Sequence, residues 1–185
     1  MPGKLESIIG PMFSGKSTEI LRRIRLLQVI NKKVLVIKAS IDTRYIIDKI
    51  TTHNFDSVEC IVINNLSEIT DSMIVQYDAV VIDEGQFIPD LKPTVIRWLE
   101  NYNIDIIVAG LDGDYMKNPI GSILELIPHS EKVVKLCSLC NMCKDGTLAP
   151  FTFRTIPSQD IILVGGAESY IPVCRAHYIS LSNNI

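Results

Sequence analysis

The stretch IIGPMFSGKSTEIL, residues 8–21, is the most informative part of this sequence for the fold. It contains the pattern G-x-x-x-x-G-K-[ST] from Gly10 to Ser17, with an apolar run before it and a helical pattern after it. Gly10 and Gly15 allow the backbone to turn so that successive N–H groups point at phosphate oxygens, and the start of a helix adds a favourable dipole. Lys16 would reach the outer phosphates, and the Ser17 hydroxyl would bind Mg²⁺. The stretch therefore predicts a phosphate-binding loop (P-loop) between a strand and a helix.

Short apolar segments rich in β-branched residues alternate with helical patterns along the chain, which predicts an α/β fold with a parallel sheet flanked by helices. Ile20, Leu21, Ile24 and Leu27 form the apolar stripe of a first helix. A second helix is predicted over residues 89–102, with Asp90 as its N-terminal cap. The predicted strands are residues 5–10, 33–39, 59–63, 79–85 and 105–113.

The segment AVVIDEGQF ends an apolar strand in two carboxylates, Asp83 and Glu84. In P-loop proteins an Asp at the end of a neighbouring strand binds Mg²⁺, usually through water, and Asp83 fits that role. Side chains alternate along a pleated strand, so Glu84 is expected to point the other way and to accept a proton from a nucleophile.

The character of the chain changes near residue 128, where Cys, turn-forming and aromatic residues become frequent. We therefore predict two parts, a P-loop nucleotide-binding domain over residues 1–130 and a metal-binding subdomain over residues 131–185. CSLCNMC and CRAH offer thiols and an imidazole at the spacing of a closed, tetrahedral, structural Zn²⁺ site. The spacing does not decide whether Cys137 or Cys143 pairs with Cys140.

Composition narrows the class of protein. With 185 residues and a net charge of −3, the chain has no overall positive field for nucleic acid. Its apolar runs are too short to span a bilayer, and MPGKLES lacks the features of a secretory signal, which predicts a cytoplasmic protein without a membrane partner. Five cysteines in a reducing compartment favour metal or thiol chemistry over disulfides.

The motifs GPMFSGKSTE, KASIDTRY, IDEGQF, GLDGDY with PIG, KLCSLCNMC and GGAESYIPVCRAHY, in this order, resemble those of the zinc-containing, cytosolic type of thymidine kinase. The resemblance implies a RecA-like P-loop sheet with a small C-terminal zinc-binding lasso that closes over the nucleoside. It also implies transfer of the γ-phosphoryl group of ATP to the 5′-hydroxyl of thymidine, with Mg²⁺. A homotetramer and feedback inhibition by thymidine triphosphate are further implications.

Matching the motifs residue by residue implies the following roles. Glu84 resembles the catalytic base, Ser17 and Asp83 the magnesium-binding residues, and Cys140, Cys143, Cys174 and His177 the zinc ligands. The ATP-binding residues are implied to be Gly10, Pro11, Met12, Phe13, Ser14, Gly15, Lys16, Ser17, Thr18, Asp42, Arg44, Asp83 and Gln86. The thymidine-binding residues are implied to be Met12, Phe87, Leu111, Tyr115, Thr152, Ile161, Ile162, Leu163, Val164, Gly165 and Tyr170.

The chain departs from the family pattern at three positions. His177 stands where many members have Cys, Cys137 is surplus, and Ile120 stands where an aromatic residue is frequent. His53 has no assigned role. Two other classes of protein fit the isolated motifs, namely a P-loop ATPase that binds nucleic acid through a zinc knuckle, and a structural zinc protein with a vestigial loop.

Overall fold

The computed structural model describes residues 3–41, 49–51, 57–157, 163 and 165–183. The strands in these residues are β1 Leu5–Gly10, β2 Val34–Ala39, β3 Lys49–Thr51, β4 Ser57–Glu59, β5 Ile61–Ile63, β6 Ala79–Asp83, β7 Asp105–Leu111, β8 Lys132–Lys135, β9 Ser138–Leu139, β10 Leu148–Ala149, β11 Phe151–Arg154 and β12 Tyr170–Val173. The α-helices are α1 Lys16–Val29, α2 Asp71–Ile74, α3 Leu91–Asn101 and α4 Arg175–Ser182. Short 3₁₀ helices cover Leu66–Glu68, Gly85–Phe87 and Ile123–His129.

Six parallel strands form the central sheet, in the order β5-β2-β6-β7-β1-β8. Because all six run the same way, their carboxyl ends meet at one edge, where ligands bind in open α/β sheets. That edge carries the P-loop after β1 and the acidic pair after β6, with β7 between the two strands. The predicted parallel sheet is confirmed.

The two faces of the sheet are covered by different helices. Ile8 of β1 packs with α1, whereas Leu5 and Ile9 of the same strand pack with α3 and its Trp98 on the other face. The predicted stripe of α1 is confirmed, because Ile20, Leu21 and Ile24 are buried and Leu27 is packed against them. Both core layers therefore fix β1, the strand that leads into the P-loop.

The sequence prediction missed one strand of this sheet, β8, which pairs with β1 and lies beyond the predicted boundary at residue 130. This edge strand is short and mostly exposed, so it lacks the apolar run that revealed the buried strands. Asp90 is the N-cap residue of α3, as predicted. Its carboxylate, however, accepts the backbone N–H groups of Leu66 and Ser67 at 2.8 and 2.9 Å, so the side chain caps a neighbouring 3₁₀ helix.

The C-terminal part consists of two small antiparallel sheets, β9 with β10 and β11 with β12, followed by α4. We call residues 136–183 the C-terminal lobe. Its own core consists of Cys140, Ala149, Phe153, Val173 and Tyr178. Within the part of the chain that the structure describes, no helix is both long enough and apolar enough to cross a bilayer.

Candidate active site

The P-loop closes around the side chain of Lys16. Phe13 and Gly15 have positive φ angles of 63° and 81°, and α1 begins immediately afterwards. The Lys16 ammonium group is buried and donates hydrogen bonds to the carbonyl oxygens of Gly10 and Pro11 at 3.2 and 2.7 Å. The first N–H groups of α1 and a fixed ammonium group therefore lie at the end of β1, as an anion-binding loop requires.

The first glycine of the motif is required by packing. A Cβ atom on Gly10 would lie 2.6 Å from the carbonyl oxygen of Leu136, just after β8, and 2.9 Å from the Ser14 hydroxyl. Ser14 in turn donates a hydrogen bond to the Pro11 carbonyl at 2.8 Å. The edge strand that the sequence prediction missed therefore lies directly against the start of the P-loop.

Asp83 and Glu84 are both buried, but the predicted reason for their different directions is wrong. Strand β6 ends at Asp83, and Glu84 has φ 53° and ψ 38°, which is a left-handed turn conformation instead of a strand. The Asp83 carboxylate accepts the backbone N–H of Glu84 at 2.9 Å. The turn, and not the pleat of a strand, therefore sets the different directions of the two carboxylates. Non-glycine residues at positive φ are uncommon, and they are concentrated at functional sites.

Gln86 holds the Glu84 carboxylate in place. Its side-chain amide donates to Glu84 Oε2 at 2.6 Å, and its Oε1 accepts the backbone N–H of Leu111 at 2.9 Å. Only 4% of Gln86 is exposed. A Cβ atom on Gly110 would clash with this Oε1, so the glycine leaves room for the amide beside β7. Gln86 thus ties the acidic turn after β6 to the end of β7.

The C-terminal lobe contacts the P-loop directly. The backbone N–H of Met12 donates to Thr152 Oγ1 at 3.0 Å, across 140 residues of sequence. Thr152 is buried in β11, and Arg154, two residues later on the same face of that strand, is also buried. This contact brings two residues of the predicted nucleoside site, Met12 and Thr152, next to the predicted triphosphate site.

Arg154 was not predicted, yet it joins several of the predicted residues. Its guanidinium lies over the Tyr115 ring, 3.8 Å from the centroid, and donates to the Tyr170 hydroxyl at 3.1 Å. Tyr170 donates onward to the carbonyl of Leu163 at 2.8 Å. The period-two pattern of FTFR contained the signal, because it places Arg154 on the same strand face as Thr152.

The remaining predicted residues divide into three groups. Leu111 and Gly165 are half-buried, and so are Ser17 and Tyr115, whereas Thr18 is exposed. Phe87 packs partly against the larger core of the sheet. The residues that lie outside the described part of the chain are Asp42, Arg44, His53, Ile161, Ile162 and Val164.

Cys140, Cys143, Cys174 and His177 form a cluster whose ligand atoms all lie within 4.8 Å of one another. His177 Nδ1 lies 3.6, 3.3 and 3.3 Å from the sulfurs of Cys140, Cys143 and Cys174, and the Cys143 and Cys174 sulfurs are 3.8 Å apart. A tetrahedral Zn²⁺ with bonds of about 2.3 Å to sulfur and about 2.0 Å to nitrogen needs edges of roughly 3.5 to 3.8 Å. The cluster therefore fits this ion. Cys137 is not part of it.

The lobe lowers the pKa of two of the three cluster thiols, whereas burial and the hydrogen bond with Cys140 raise the pKa of Cys143 to about 11. Burial alone would raise the pKa of Cys140, but the backbone N–H groups of Cys174, Cys143 and Met142 outweigh burial and lower this pKa to about 6. The backbone N–H of His177 lowers the pKa of Cys174 in the same way. Hydrogen bonds to sulfur from ordered backbone are typical of zinc knuckles, and they depend on the fold of both β9–β10 and the start of α4.

Comparison with known proteins now identifies the family. The family model described as thymidine kinase matches residues 3–178. The chain belongs to the thymidine kinase family. The resemblance drawn from the motifs is thus confirmed, and the match covers both the P-loop sheet and the C-terminal lobe.

Curated relatives from very different organisms match over the same extent. The thymidine kinase of Yaba monkey tumor virus (strain VR587) is 43% identical over 181 residues, which cover 98% of this chain and 97% of the viral protein. Thymidine kinase 1 of Dictyostelium discoideum is 40% identical, covering 98% of this chain and 80% of its own length. The thymidine kinase of vaccinia virus (strain Western Reserve) is 41% identical, covering 96% and 97% of the two chains.

Proposed function

We propose that this protein is an ATP-dependent thymidine kinase, which transfers the γ-phosphoryl group of ATP to the 5′-hydroxyl of thymidine and yields ADP and thymidine monophosphate. Membership of the thymidine kinase family supports this activity. The observation that carries it is the 3.0 Å hydrogen bond from Met12 of the P-loop to Thr152 of the C-terminal lobe. Because this contact holds the lobe against the P-loop, a second substrate bound by the lobe would lie beside the triphosphate, as phosphoryl transfer requires.

The P-loop supplies the triphosphate side of this site. Its backbone N–H groups and the start of α1 would bind the phosphates of ATP, and Lys16 would exchange its bonds to the Gly10 and Pro11 carbonyls for bonds to phosphate. Ser17 and Asp83 would hold Mg²⁺, which neutralises charge on the transferring phosphoryl group when it is bound. We also assign the rest of the P-loop, Gln86, Asp42 and Arg44 to the ATP side.

Glu84 is our candidate for the general base. It would accept the proton of the thymidine 5′-hydroxyl while the oxygen forms a bond to the γ-phosphorus and the bond to the departing ADP oxygen breaks. The residue is only 8% exposed, and its carboxylate is held by the Gln86 amide at 2.6 Å. Such a hydrogen bond fixes the direction in which the carboxylate would accept a proton.

The C-terminal lobe supplies the nucleoside side. Arg154 contacts Tyr115 and Tyr170, and Thr152 lies on the same face of β11, so these residues would form a continuous wall around the thymine ring. Recognition by backbone groups of a loop needs that loop to be rigid, and a structural Zn²⁺ at the Cys140–His177 cluster would supply rigidity. The other residues that we assign to this side are Met12, Phe87, Leu111, Ile161, Ile162, Leu163, Val164 and Gly165.

The proposal also covers the assembly, regulation and location of the protein. We expect a homotetramer that acts in the cytoplasm and is inhibited by thymidine triphosphate. The reason for the inhibitor is chemical, since a thymine nucleotide with three phosphates can place its base in the nucleoside site and its phosphates on the P-loop at once.

A phosphoryl-transfer assay with labelled ATP across a panel of nucleosides tests the activity. We expect label on thymidine, and a fall in kcat of about 10²- to 10⁴-fold in Glu84→Gln, with nearly unchanged binding of both substrates. The matched control is Glu125→Gln, which changes an exposed carboxylate that pairs with Lys92. ATP hydrolysis stimulated by single-stranded DNA, without nucleoside transfer, would favour the ATPase class instead, and an unimpaired Glu84→Gln enzyme would remove Glu84 from the mechanism.

A further inference from the structure

Tyr178 lies between the metal cluster and the proposed nucleoside pocket. It follows His177 in α4, and its backbone N–H donates to the carbonyl of Cys174 at 2.9 Å, so two cluster residues fix its backbone. Its hydroxyl donates to the carbonyl of Tyr115 at 2.8 Å, across 63 residues of sequence. One side chain thus spans the distance from the cluster to the turn after β7.

The Tyr178 ring makes a second contact with the same turn. Lys117 Nζ lies 4.0 Å from the ring centroid, which is the geometry of a cation–π contact. On the lobe side the ring packs against Phe151 and Phe153, with centroid distances of 5.6 and 5.9 Å. The ring is therefore fixed in the lobe core, while the turn is held at two points.

The turn that Tyr178 holds is itself rigid. Asp114 Oδ1 accepts the backbone N–H groups of Met116 and Asn118, both at 2.8 Å, and Lys117 has a φ angle of 70°. Residues 112–118 should therefore move together, because these bonds close the turn on itself. Whatever sets the position of the Tyr115 carbonyl also sets the position of the Tyr115 ring.

The Tyr115 ring faces the other surface of the same lobe. Arg154 lies over it on the β11 face that also carries Thr152, whereas Phe151 and Phe153 on the opposite face of β11 contact Tyr178. Strand β11 thus separates the two contacts on Tyr115, one to its ring and one to its backbone. A shift of the lobe would change both together.

We propose that Tyr178 is a positioning residue through which the Cys140–His177 cluster fixes Tyr115 in the nucleoside pocket. The inference rests on the proposed function, since Tyr115 is assigned to thymidine there. It extends that function because it makes thymidine affinity depend on a hydroxyl group that lies outside the pocket. If Tyr178 only filled space in the lobe core, its ring would be sufficient, and the substitution Tyr178→Phe would leave thymidine affinity unchanged.

The substitution Tyr178→Phe in the zinc-loaded protein separates these roles. Zinc content should stay unchanged, the KM for thymidine should rise about three- to tenfold as expected for one lost hydrogen bond, and kcat and the KM for ATP should change less than about twofold. The matched control is Tyr102→Phe, which removes a tyrosine hydroxyl at the C-terminal end of α3, outside the C-terminal lobe. An unchanged thymidine KM in Tyr178→Phe would overturn the proposal.

A second variant tests the proposal in case Tyr178→Phe does not fold. Lys117→Met leaves the lobe core intact and removes the cation from the Tyr178 ring. The thymidine KM should rise about twofold, the effect of an exposed cation–π contact. If Tyr178→Phe does not fold, an unchanged thymidine KM in Lys117→Met overturns the proposal.

Hydrogen exchange of residues 112–118 tests the link without any enzymatic activity. Chelation of zinc should speed exchange in this segment of the wild-type protein, and zinc-loaded Tyr178→Phe should exchange as fast as the chelated wild type. Equal, slow exchange in all three samples would overturn the proposal. If the wild type does not phosphorylate thymidine, the proposed function fails, and this exchange pattern still decides whether Tyr178 links the cluster to the turn.

Discussion

The P-loop edge of the sheet and the C-terminal lobe hold the two halves of the site by different physical means. The P-loop follows β1, which is paired on both sides and covered on both faces by buried apolar residues. The lobe has strands of only two to four residues and a core of five buried residues, one of them the cluster residue Cys140. So small a core stabilises a loop weakly, and a metal ion bound at the cluster would add the missing stability.

The two regions meet at a few specific contacts. Met12 bonds Thr152, and Tyr178 bonds the turn of Tyr115. If the account is right, damage to the lobe should weaken thymidine binding and spare ATP binding, whereas damage near Glu84 should slow chemistry and spare both affinities.

The largest effect within this comparison is expected from Cys143→Ser. Loss of one thiolate should reduce zinc from about one ion per chain to a small fraction, and the thymidine KM should rise by about 100-fold or more, because zinc stabilises small modules by roughly 10 kcal/mol or more. Metal analysis and initial-rate kinetics measure both quantities. ATP binding should change little.

Cys137→Ser is the matched control, because Cys137 is a nearby thiol outside the cluster. It should keep its zinc and its thymidine KM. Loss of the metal in Cys137→Ser but not in Cys143→Ser would show that the cluster is assigned to the wrong cysteine.

A smaller effect is expected from Gln86→Met on the sheet side. The substitution keeps the length of the side chain and removes both hydrogen bonds, so the Glu84 carboxylate loses its fixed direction. We expect kcat to fall about tenfold, as for a lost hydrogen bond to a charged group, with nearly unchanged KM values. Steady-state kinetics with each substrate varied measures the split.

Gln76→Met provides the control for Gln86, since the Gln76 amide donates to the Ser72 carbonyl on an exposed surface. Its kinetics should equal those of the wild type. A Gln86→Met enzyme that raises the thymidine KM and keeps its kcat would mean that Gln86 shapes the pocket instead of positioning the base.

Local patterns predicted the sheet side well. The P-loop glycines, the apolar strands and the stripe of α1 each follow from contacts within a few residues, so the sequence contains their signal. The sequence does not contain the direction of Glu84, because it depends on a left-handed turn and on Gln86. Leu111 of β7, 25 residues after Gln86, holds the Gln86 side chain in turn. The edge strand β8 was missed because half-exposed strands lack the buried apolar run.

The lobe was harder to predict for a related reason. Spacing alone did not decide whether Cys137 or Cys143 is the partner of Cys140. The fold decides it, because Cys143 lies between β9 and β10 and joins the cluster, whereas Cys137 precedes β9 and stays outside. The links through Arg154 and Tyr178 join residues that are 39 and 63 positions apart, so no local pattern announces them. Thus, packing-dependent contacts determine how the lobe meets the sheet.

Calorimetric titration of the protein before and after zinc chelation tests whether the metal supports only the thymidine side of the site. A non-hydrolysable ATP analogue with Mg²⁺ and thymidine would be titrated separately into both forms. We predict that chelation abolishes thymidine binding and leaves the affinity for the ATP analogue within about threefold, because packing and not the metal holds the P-loop. Equal loss of both affinities, or retention of both, would contradict the division of the site between a packed sheet and a metal-held lobe.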